Sequence, residues 1–398
     1  MNEVAAGTFA FVGLLGVALI VALLAERIRI PPAVALVVIG AFVGVIKPFT
    51  LPFSFGPTLL FVFLPPLIFE AAWTLSPAAL RTMARPILAL AIPGVLITSL
   101  VIAGVMTAAR VLPFDLAFLL GAIVSATDPV AVMSVFRRMN VPLELATLVE
   151  GESLLNDGVA IALFSIALRF ADPATVSLSV TREIAHAVVG VVAGIGIGIA
   201  GAILMGEVIR FAQTRAAELT GTIVLAYGTY TIAAGLDTSG VFACAAAGIT
   251  LRAISARIIT AQEPQEIDRF WDAIAYVFNA FVFLGTGLVI RADRIVHEPL
   301  LVLVAIVAVF ASRGVIAYFM MPLFPRLRAQ RGARTTTFVA GIRGALALAL
   351  ALDLPVSVPQ RPVIIDAVFA IVFVTLAVQG LAIEPVLRRL GFAPPPPR

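Results

Sequence analysis

The chain has 398 residues, of which 61% are apolar and 13% charged, and its mean hydropathy is +1.10. Soluble domains are about half apolar and a quarter charged, so this composition excludes a soluble enzyme and a disordered chain. The formal charge of +4 is spread thinly, unlike the basic patch of a nucleic-acid-binding protein. One cysteine, Cys244, excludes a disulfide framework. The sequence therefore predicts an all-α polytopic membrane protein that binds no nucleic acid.

Apolar runs of roughly 16–25 residues recur along the chain, separated by charge, proline or glycine. About thirteen such runs are present, and each predicts a membrane helix. The first has no basic region before it and no cleavage site after it, so we expect a retained helix. After Arg389 we expect no regulatory domain. The predicted runs are 7–25, 31–46, 57–73, 86–109, 114–138, 143–169, 184–209, 217–235, 239–252, 271–290, 299–320, 335–352 and 363–387.

The basic residues alternate between the two sides of the membrane. Eighteen of the 27 follow odd-numbered runs and seven follow even-numbered runs. Cytoplasmic loops carry the excess of arginine and lysine, so the N-terminus is expected outside and the C-terminus in the cytoplasm. An odd number of helices satisfies this orientation.

Two of the runs are interrupted. The fifth is broken at 127–129 and the twelfth at 341–344. They are seven helices apart, so equivalent segments would run in opposite directions. Broken helices at matching positions of inverted halves indicate a transporter site at the middle of the membrane.

Ionisable side chains inside apolar runs are the candidates for function, because each costs about 2.5–3.5 kcal/mol on insertion. The candidates are Glu70, Asp128, Glu150, Glu152, Asp157, Arg313 and Arg343.

Asp128 lies beside the first break, in the segment SATDP. Pro129 lacks an N–H and clashes with the carbonyl of Ser125, which interrupts the helix. A freed carbonyl at membrane depth must be buried in protein or line a wet cavity. A carboxylate and two hydroxyls there supply hard oxygen ligands for a small cation. Alternatively Asp128 caps the second half of a kinked helix, and the two roles are compatible.

A second acidic cluster, EGESLLND, occupies residues 150–157. Ser153 and Asp157 are four apart, so they share a helix face that can point to the first break. Glu152 lies roughly 140° from Asp157 around the helix, so these acids should have different partners. Arg313 is the candidate partner of Glu152, and we interpret that pair as structural.

Glu70 and Arg343 lie beside further helix-breaking residues. The double proline at 65–66 is expected to unwind the third helix and bring Glu70 near the site; a bland role at the membrane interface fits equally. Arg343 is expected to neutralise the C-terminal end of a half-helix or to keep cations from the second break. The alternative is an arginine that snorkels to the cytoplasmic interface.

Enzyme signatures are missing from the sequence. The two histidines, His186 and His297, lie near loops and predict neither a proton relay nor a metal centre. No phosphate loop is present, and Ser153 has no neighbouring base, which argues against a hydrolase. We expect no enzymatic activity and no cofactor.

Four motifs resemble those of the monovalent cation–proton antiporter family, especially the branch of NhaP-type bacterial antiporters and animal sodium–proton exchangers. They are FLPPLIFE at 63–70, SATDPVAV at 125–132, GESLLNDGVAI at 151–161 and GIRGALALALAL at 341–352. The resemblance implies about thirteen transmembrane helices in two inverted six-helix repeats with crossed discontinuous helices. It also implies a homodimer whose core domains move against interface domains.

The resemblance implies a division of the chain. We expect interface-domain helices in 1–85, core-domain helices in 86–170, a linker and interface-domain helices in 171–298, core-domain helices in 299–390 and a short tail in 391–398.

The resemblance also assigns roles to residues. Asp157 is implied as the principal group that binds the cation or the proton. Asp128, Ser153, Thr127 and Glu70 are implied to help it coordinate the transported Na⁺.

Other residues match positions that shape this site. Asn156 is the asparagine of an Asn-Asp pair, which implies electroneutral exchange, and Arg343 is the arginine of the second broken helix. Glu152 and Arg313 match a stabilising ion pair.

The function implied is exchange of Na⁺ or Li⁺ for H⁺, one for one, at the cell membrane of a bacterium, with the lipid bilayer and a second copy as partners. The nearest alternative is a potassium–proton antiporter, which the sequence does not separate from a sodium–proton one. A channel would show a symmetric ring of ligands, and an organic-anion symporter would show cationic groups at the crossing. Nothing favours a transport-dead scaffold.

Overall fold

The protein is described by a computed structural model that covers residues 3–28, 30–46, 57–173, 179–212, 214–258, 265–289 and 298–392. Within these ranges it contains helices and no strands. The helices of the first half are α1 (Glu3–Arg27), α2 (Pro32–Ile46), α3 (Pro57–Thr74), α4 (Pro77–Ala91), α5 (Pro93–Ala108), α6 (Phe114–Ile123), α7 (Val130–Arg138), α8 (Leu143–Ala171) and α9 (Val180–Ala212). Those of the second half are α10 (Arg215–Gly235), α11 (Gly240–Ile258), α12 (Gln265–Val289), α13 (Pro299–Val315), α14 (Pro325–Ala329), α15 (Ala333–Val339), α16 (Ala345–Leu352) and α17 (Arg361–Arg389).

The predicted all-α polytopic fold is confirmed. Each predicted apolar run overlaps one of these helices or two consecutive ones. Among the described residues, six helices are long and apolar enough to cross a membrane, and shorter apolar helices accompany them. Part of the predicted pattern lies outside the described residues: the tail from 393 onward and several loop positions, among them Lys47, Arg291, Arg294 and His297.

The fourth predicted run begins nine residues too late. The helix starts at Pro77, after Ser76, whose hydroxyl accepts a hydrogen bond from the N–H of Ala79 at 3.5 Å. Arg81 and Arg85 lie on the exposed face of this first part, so it is amphipathic and its apolar pattern is weak. The expected border between residues 85 and 86 therefore falls inside α4.

The expected unwinding of the third helix is wrong. Helix α3 continues through Pro65 and Pro66. Pro66 has no N–H to donate to the carbonyl of Val62, four residues earlier. The hydroxyl of Tyr227, from α10, donates to that carbonyl at 2.7 Å. A neighbouring helix thus satisfies the freed group, which is how membrane helices tolerate proline.

The two predicted breaks are present, and they cross. Helices α6 and α7 are separated by the segment 124–129, and α15 and α16 by 340–344. The backbone N–H of Asp128, in the first break, donates to the carbonyl of Ile342, in the second, at 2.8 Å. The crossed discontinuous helices predicted from the sequence are therefore confirmed.

The helices form two contacting groups. Helices α4, α5, α6, α7, α8, α13, α15, α16 and α17 pack mainly against one another and carry the crossing. Helices α1, α2, α3, α9, α10, α11 and α12 form the second group. Helices α3 and α12 of the second group also contact α16 of the first, so the crossing faces the boundary between the groups.

Glycines four apart allow α9 to approach α11 closely. Gly190, Gly194 and Gly198 share one face of α9, a spacing that predicts close packing. A methyl group on Gly198 would overlap the backbone carbonyl of Ala243. Gly196, on the exposed face of the same helix, has open space around its Cα.

This difference predicts opposite effects for one added methyl group. Gly198→Ala should destabilise the protein by about 1–3 kcal/mol, because the methyl group forces α9 away from α11. Gly196→Ala, the matched control, should be neutral or stabilising, since alanine favours a helix over glycine by up to about 1 kcal/mol. Thermal unfolding in detergent, followed by tryptophan fluorescence, measures both. Equal midpoints for the two variants would contradict the close-packing interpretation.

Candidate functional site

A cavity of about 380 Å³ opens between the two groups of helices. It is lined by α3 and α12 on one side and by the first break, α7, α8 and the start of α16 on the other. The structure brings all the predicted ligands into its wall: Glu70, Thr127, Asp128, Ser153 and Asp157.

The peptide of Thr127 is fixed by α8. The hydroxyl of Ser153 donates to the Thr127 carbonyl. The side-chain carbonyl of Asn156 accepts from the Thr127 N–H at 3.3 Å, and its amide donates to the Thr127 hydroxyl at 2.7 Å. These contacts satisfy an unwound backbone that has no helical partners of its own. Asn156 therefore supports the break, and its amide is already engaged there.

Asp128 is held at the crossing point by its own backbone and side chain. One carboxylate oxygen, Oδ1, accepts from the N–H of Val130, the first residue of α7, at 2.9 Å. A carboxylate at a helix N-terminus stabilises the free N–H groups there. A methyl group on Gly344 would overlap the Asp128 carboxylate, so this position of the second break requires glycine. Asp128 thus caps α7 while it lines the cavity.

Asp157 lies one helical turn beyond Ser153, on the face of α8 that lines the cavity. Its Oδ1 atom is buried and has no hydrogen-bond partner among the described residues. A buried carboxylate oxygen without a partner is costly, and a cation or a proton removes that cost. Asp157 is therefore the carboxylate of this cavity that is best prepared to take either ion.

Arg343 replaces the hydrogen bond that Pro129 cannot make. Its Nη1 atom donates to the carbonyls of Ser125 at 2.6 Å and Ala126 at 3.2 Å. Its backbone N–H donates to the hydroxyl of Thr375, on α17, at 3.2 Å. The side chain lies at the C-terminal end of α6, where a cation opposes the helix dipole. It is 1% exposed, which excludes the alternative of an arginine snorkelling to the interface.

Glu152 points away from the cavity and pairs with Arg313 of α13. Both guanidinium Nη atoms donate to the Glu152 carboxylate, and each side chain is 3% exposed. The Nε atom of Arg313 donates to the carbonyl of Thr337, on α15, at 2.9 Å. A methyl group on Gly341 would overlap this guanidinium. The pair therefore ties α8 and α13 to the second broken helix.

Six further polar residues in the cavity wall were not predicted as part of the site, and four of them bear on its charge or hydrogen bonding. Glu150 was recognised only as an acid inside an apolar run, and its Oε1 accepts from the hydroxyl of Thr74 at 3.0 Å. Asn279, Asp272 and Arg137 also line the cavity. Asp272 lies near the start of the tenth predicted run. Its position as an acid inside an apolar run could have identified it as a candidate site residue. Arg137 carried no signal, because arginines at the ends of membrane helices are ordinary.

Two broken helices cross beside a buried carboxylate oxygen that no described residue satisfies, inside a many-helix apolar fold. This combination defines a multi-pass membrane protein of the transporter class. The sequence matches the family profile described as "Sodium/hydrogen exchanger, transmembrane" over residues 15–389. The chain belongs to the sodium/hydrogen exchanger family.

Named relatives and solved structures agree with this family. The chain is 36% identical to the Na⁺/H⁺ antiporter ApNhaP of Aphanothece halophytica, over 91% of this chain and 70% of that protein. It is 32% identical to the Na⁺/H⁺ antiporter NhaH of Halobacillus aidingensis, over 96% and 97% of the two chains. The structure of the sodium proton antiporter MjNhaP1 from Methanocaldococcus jannaschii at pH 8 superposes with a TM-score of 0.76. That match covers 98% of this chain and 99% of the other at 20% identity, and it shows a shared fold.

The buried ion pair generates a stability prediction. Glu152→Gln should destabilise the protein by about 3–5 kcal/mol, because it leaves the buried Arg313 charge uncompensated. Glu152→Leu combined with Arg313→Leu should restore part of that loss, since no unpaired charge remains. The control is Glu384→Gln, whose partly exposed carboxylate pairs with Arg138 and Arg388, and which should cost at most about 1 kcal/mol for each pair. Thermal unfolding compares the variants, and a double variant no more stable than Glu152→Gln would contradict this account.

Proposed function

We propose that this protein exchanges Na⁺ or Li⁺ for H⁺ across the membrane, with both ions bound in turn at Asp157. The observation that carries the proposal is the buried, partnerless Oδ1 of Asp157 beside the crossed helices. The carboxylates of Asp128 and Glu70 and the hydroxyls of Thr127 and Ser153 supply further hard oxygen ligands in the same wall. The protein is a transporter rather than an enzyme in this proposal, and it uses no cofactor besides the transported ions.

Exchange follows from competition for one carboxylate. Asp157 neutralises its charge either with a cation or with a proton, and the apolar surroundings disfavour a state with neither or with both. If only the neutralised site crosses the membrane, each cation that leaves is replaced by one proton. Asn156 is neutral and its amide is engaged with Thr127, so it adds no second titrating group. We therefore propose a ratio of one to one with no net charge moved.

We propose that the core-domain helices carry the site past the interface-domain helices in an elevator-type movement. The proposed core comprises the first helix group, within 86–170 and 299–390, with its first border moved back to Pro77 so that α4 stays whole. The proposed interface domain comprises the second group, within 1–76 and 171–298. Support comes from the position of the cavity between the two groups and from the backbone bond between Asp128 and Ile342, which holds the crossing together as one unit.

The setting of this exchange is also a proposal. We place the protein in the cell membrane of a bacterium as a homodimer, with the N-terminus outside and the C-terminus in the cytoplasm. The distribution of arginines supports the orientation. Exposed apolar side chains on α1 and α9, among them Leu23, Leu24, Val189 and Leu204, are suited to contact lipid or a second copy.

Transport is tested in proteoliposomes that contain a pH-sensitive dye and an imposed pH gradient, with Na⁺, Li⁺ and K⁺ added in turn. We expect Na⁺ or Li⁺ to collapse the gradient, and an ionophore that clamps the voltage to leave the rate unchanged. Asp157→Asn should abolish the response, because the amide accepts neither ion. Asp115→Asn, at an exposed carboxylate in the first turn of α6, is the matched control and should transport normally.

Each other outcome has a defined meaning. A response to K⁺ alone would make the protein a potassium–proton antiporter. A rate that follows the clamped voltage would overturn the one-to-one ratio. Absence of any response over a broad pH range would overturn the proposed function and leave the fold and the family standing.

Competition also predicts how the cation affinity varies with pH. On the acid side the apparent KM for Na⁺ should rise by about tenfold for each pH unit, because each unit gives ten times more competing protons. On the alkaline side the KM should level off. The maximal rate at saturating Na⁺ should not change in parallel with the KM. Initial rates at a series of Na⁺ concentrations and pH values measure this. A KM that is the same from acid to alkaline pH would contradict a shared site.

A further inference from the structure

The cavity contains a positive charge that the proposed exchange does not use. Five carboxylates and one basic side chain, Arg137, stand among the described residues that line it. The Nη1 atom of Arg137 lies 3.8 Å from Oδ1 of Asp272. Arg137 is in the last turn of α7, on the crossing, and Asp272 is in α12, in the other helix group. The pair therefore spans the boundary between the two groups.

The pair lies at the mouth of the cavity. Helix α7 starts directly after Asp128 and Pro129, so its rise of 1.5 Å per residue puts Arg137 about 10 Å from the crossing. The Arg137 and Asp272 side chains are 59% and 49% exposed, whereas Asp157 Oδ1, farther in, is buried. A cation that moves from this mouth to Asp157 passes the pair first.

Among the described residues that line the cavity, the charges other than Arg137 itself are all negative. Asp272 comes from α12, Glu70 from α3 and Glu150 from α8, with Asp128 and Asp157 deeper in the cavity. A cavity of carboxylates concentrates cations. A positively charged guanidinium in the same cavity opposes that concentration.

The neighbouring arginine has a different environment. Arg138 does not line the cavity; its Nη2 lies 3.5 Å from the Glu384 carboxylate, which also pairs with Arg388 on α17. Arg137 and Arg138 are consecutive residues of one short helix, and they differ in that only Arg137 lines the cavity.

We propose that Arg137 is a tethered competitor of the transported cation: its guanidinium occupies the carboxylate of Asp272 at the mouth and so sets the apparent affinity for Na⁺. The inference rests on the proposed function and adds an affinity-determining residue to it. An arriving cation displaces the guanidinium from Asp272 into solvent. Because the side chain is tethered, the positive charge stays in the cavity and repels the cation that is bound at Asp157. Arg137 therefore weakens cation binding without touching the ion at Asp157.

The test uses inside-out membrane vesicles, which present the predicted cytoplasmic face, at low ionic strength. KM and maximal rate for Na⁺ are measured for the wild type, Arg137→Gln, Arg137→Lys, Asp272→Asn and the matched control Arg138→Gln. Arg137→Gln should lower KM about twofold, the effect of one unit charge about 10 Å from the bound cation in a water-like medium. Arg137→Lys should keep the wild-type KM, because the tethered charge remains, and Arg138→Gln should change nothing.

Two further readouts separate electrostatics from structure. Asp272→Asn should raise KM, because it removes a carboxylate and leaves Arg137 in place. Addition of N-methylglucamine chloride should shrink the difference between Arg137→Gln and the wild type, since salt screens exposed charges.

The inference is overturned if Arg137→Gln leaves KM unchanged or raises it, if only the maximal rate falls, or if Arg138→Gln lowers KM equally. In each of these cases the wild type still exchanges Na⁺ for H⁺ and Asp157→Asn does not, so the proposed function stands. If the wild type itself shows no exchange, the proposed function fails and this inference fails with it.

Discussion

The structure depends on satisfying the backbone where two helices are interrupted inside the membrane. A free carbonyl or N–H in hydrocarbon costs several kcal/mol, so a break persists only with partners supplied from elsewhere in the fold. Pro129 removes the helical partner of the Ser125 carbonyl, and the guanidinium of Arg343 replaces it. The N–H of Asp128 pairs with the carbonyl of Ile342. Each broken helix therefore needs the other, and the crossing is a single unit.

Helix α8 distributes its polar residues around this unit. Ser153 and Asn156 hold the unwound peptide at Thr127, and Glu152, on another face, reaches Arg313. Asp157 faces the cavity with one oxygen that no described residue satisfies. The same helix thus fixes the backbone around the site and leaves one carboxylate oxygen of the site without a partner among the described residues. Because the neighbouring groups are already held by hydrogen bonds, an ion can bind the unsatisfied oxygen without reorganisation of the wall.

The apolar runs and their interruptions were predictable because hydropathy and proline act locally. The start of α4 was not predictable from hydropathy. Its arginines weaken the apolar pattern of this amphipathic turn, and its apolar face is buried only by packing on α8. The double proline of α3 led to the wrong prediction of an unwound helix for a related reason. A proline removes a hydrogen bond in every sequence, but whether the helix unwinds depends on a partner such as Tyr227, 165 residues away. Helical periodicity also separated the directions of Glu152 and Asp157, because both lie on one helix.

The sequence by itself determined that the chain is an all-helical membrane protein with two breaks and a small set of buried charges. Composition, run length and the chemistry of proline and aspartate act within a few residues, so they can be read from the chain directly. Only the tertiary structure decided which freed carbonyls meet Arg343, that Asp128 and Gly344 touch, and that Arg137 and Asp272 share one cavity with Asp157. These are contacts between helices distant in sequence, and their existence depends on how the two groups of helices pack, which no local pattern specifies.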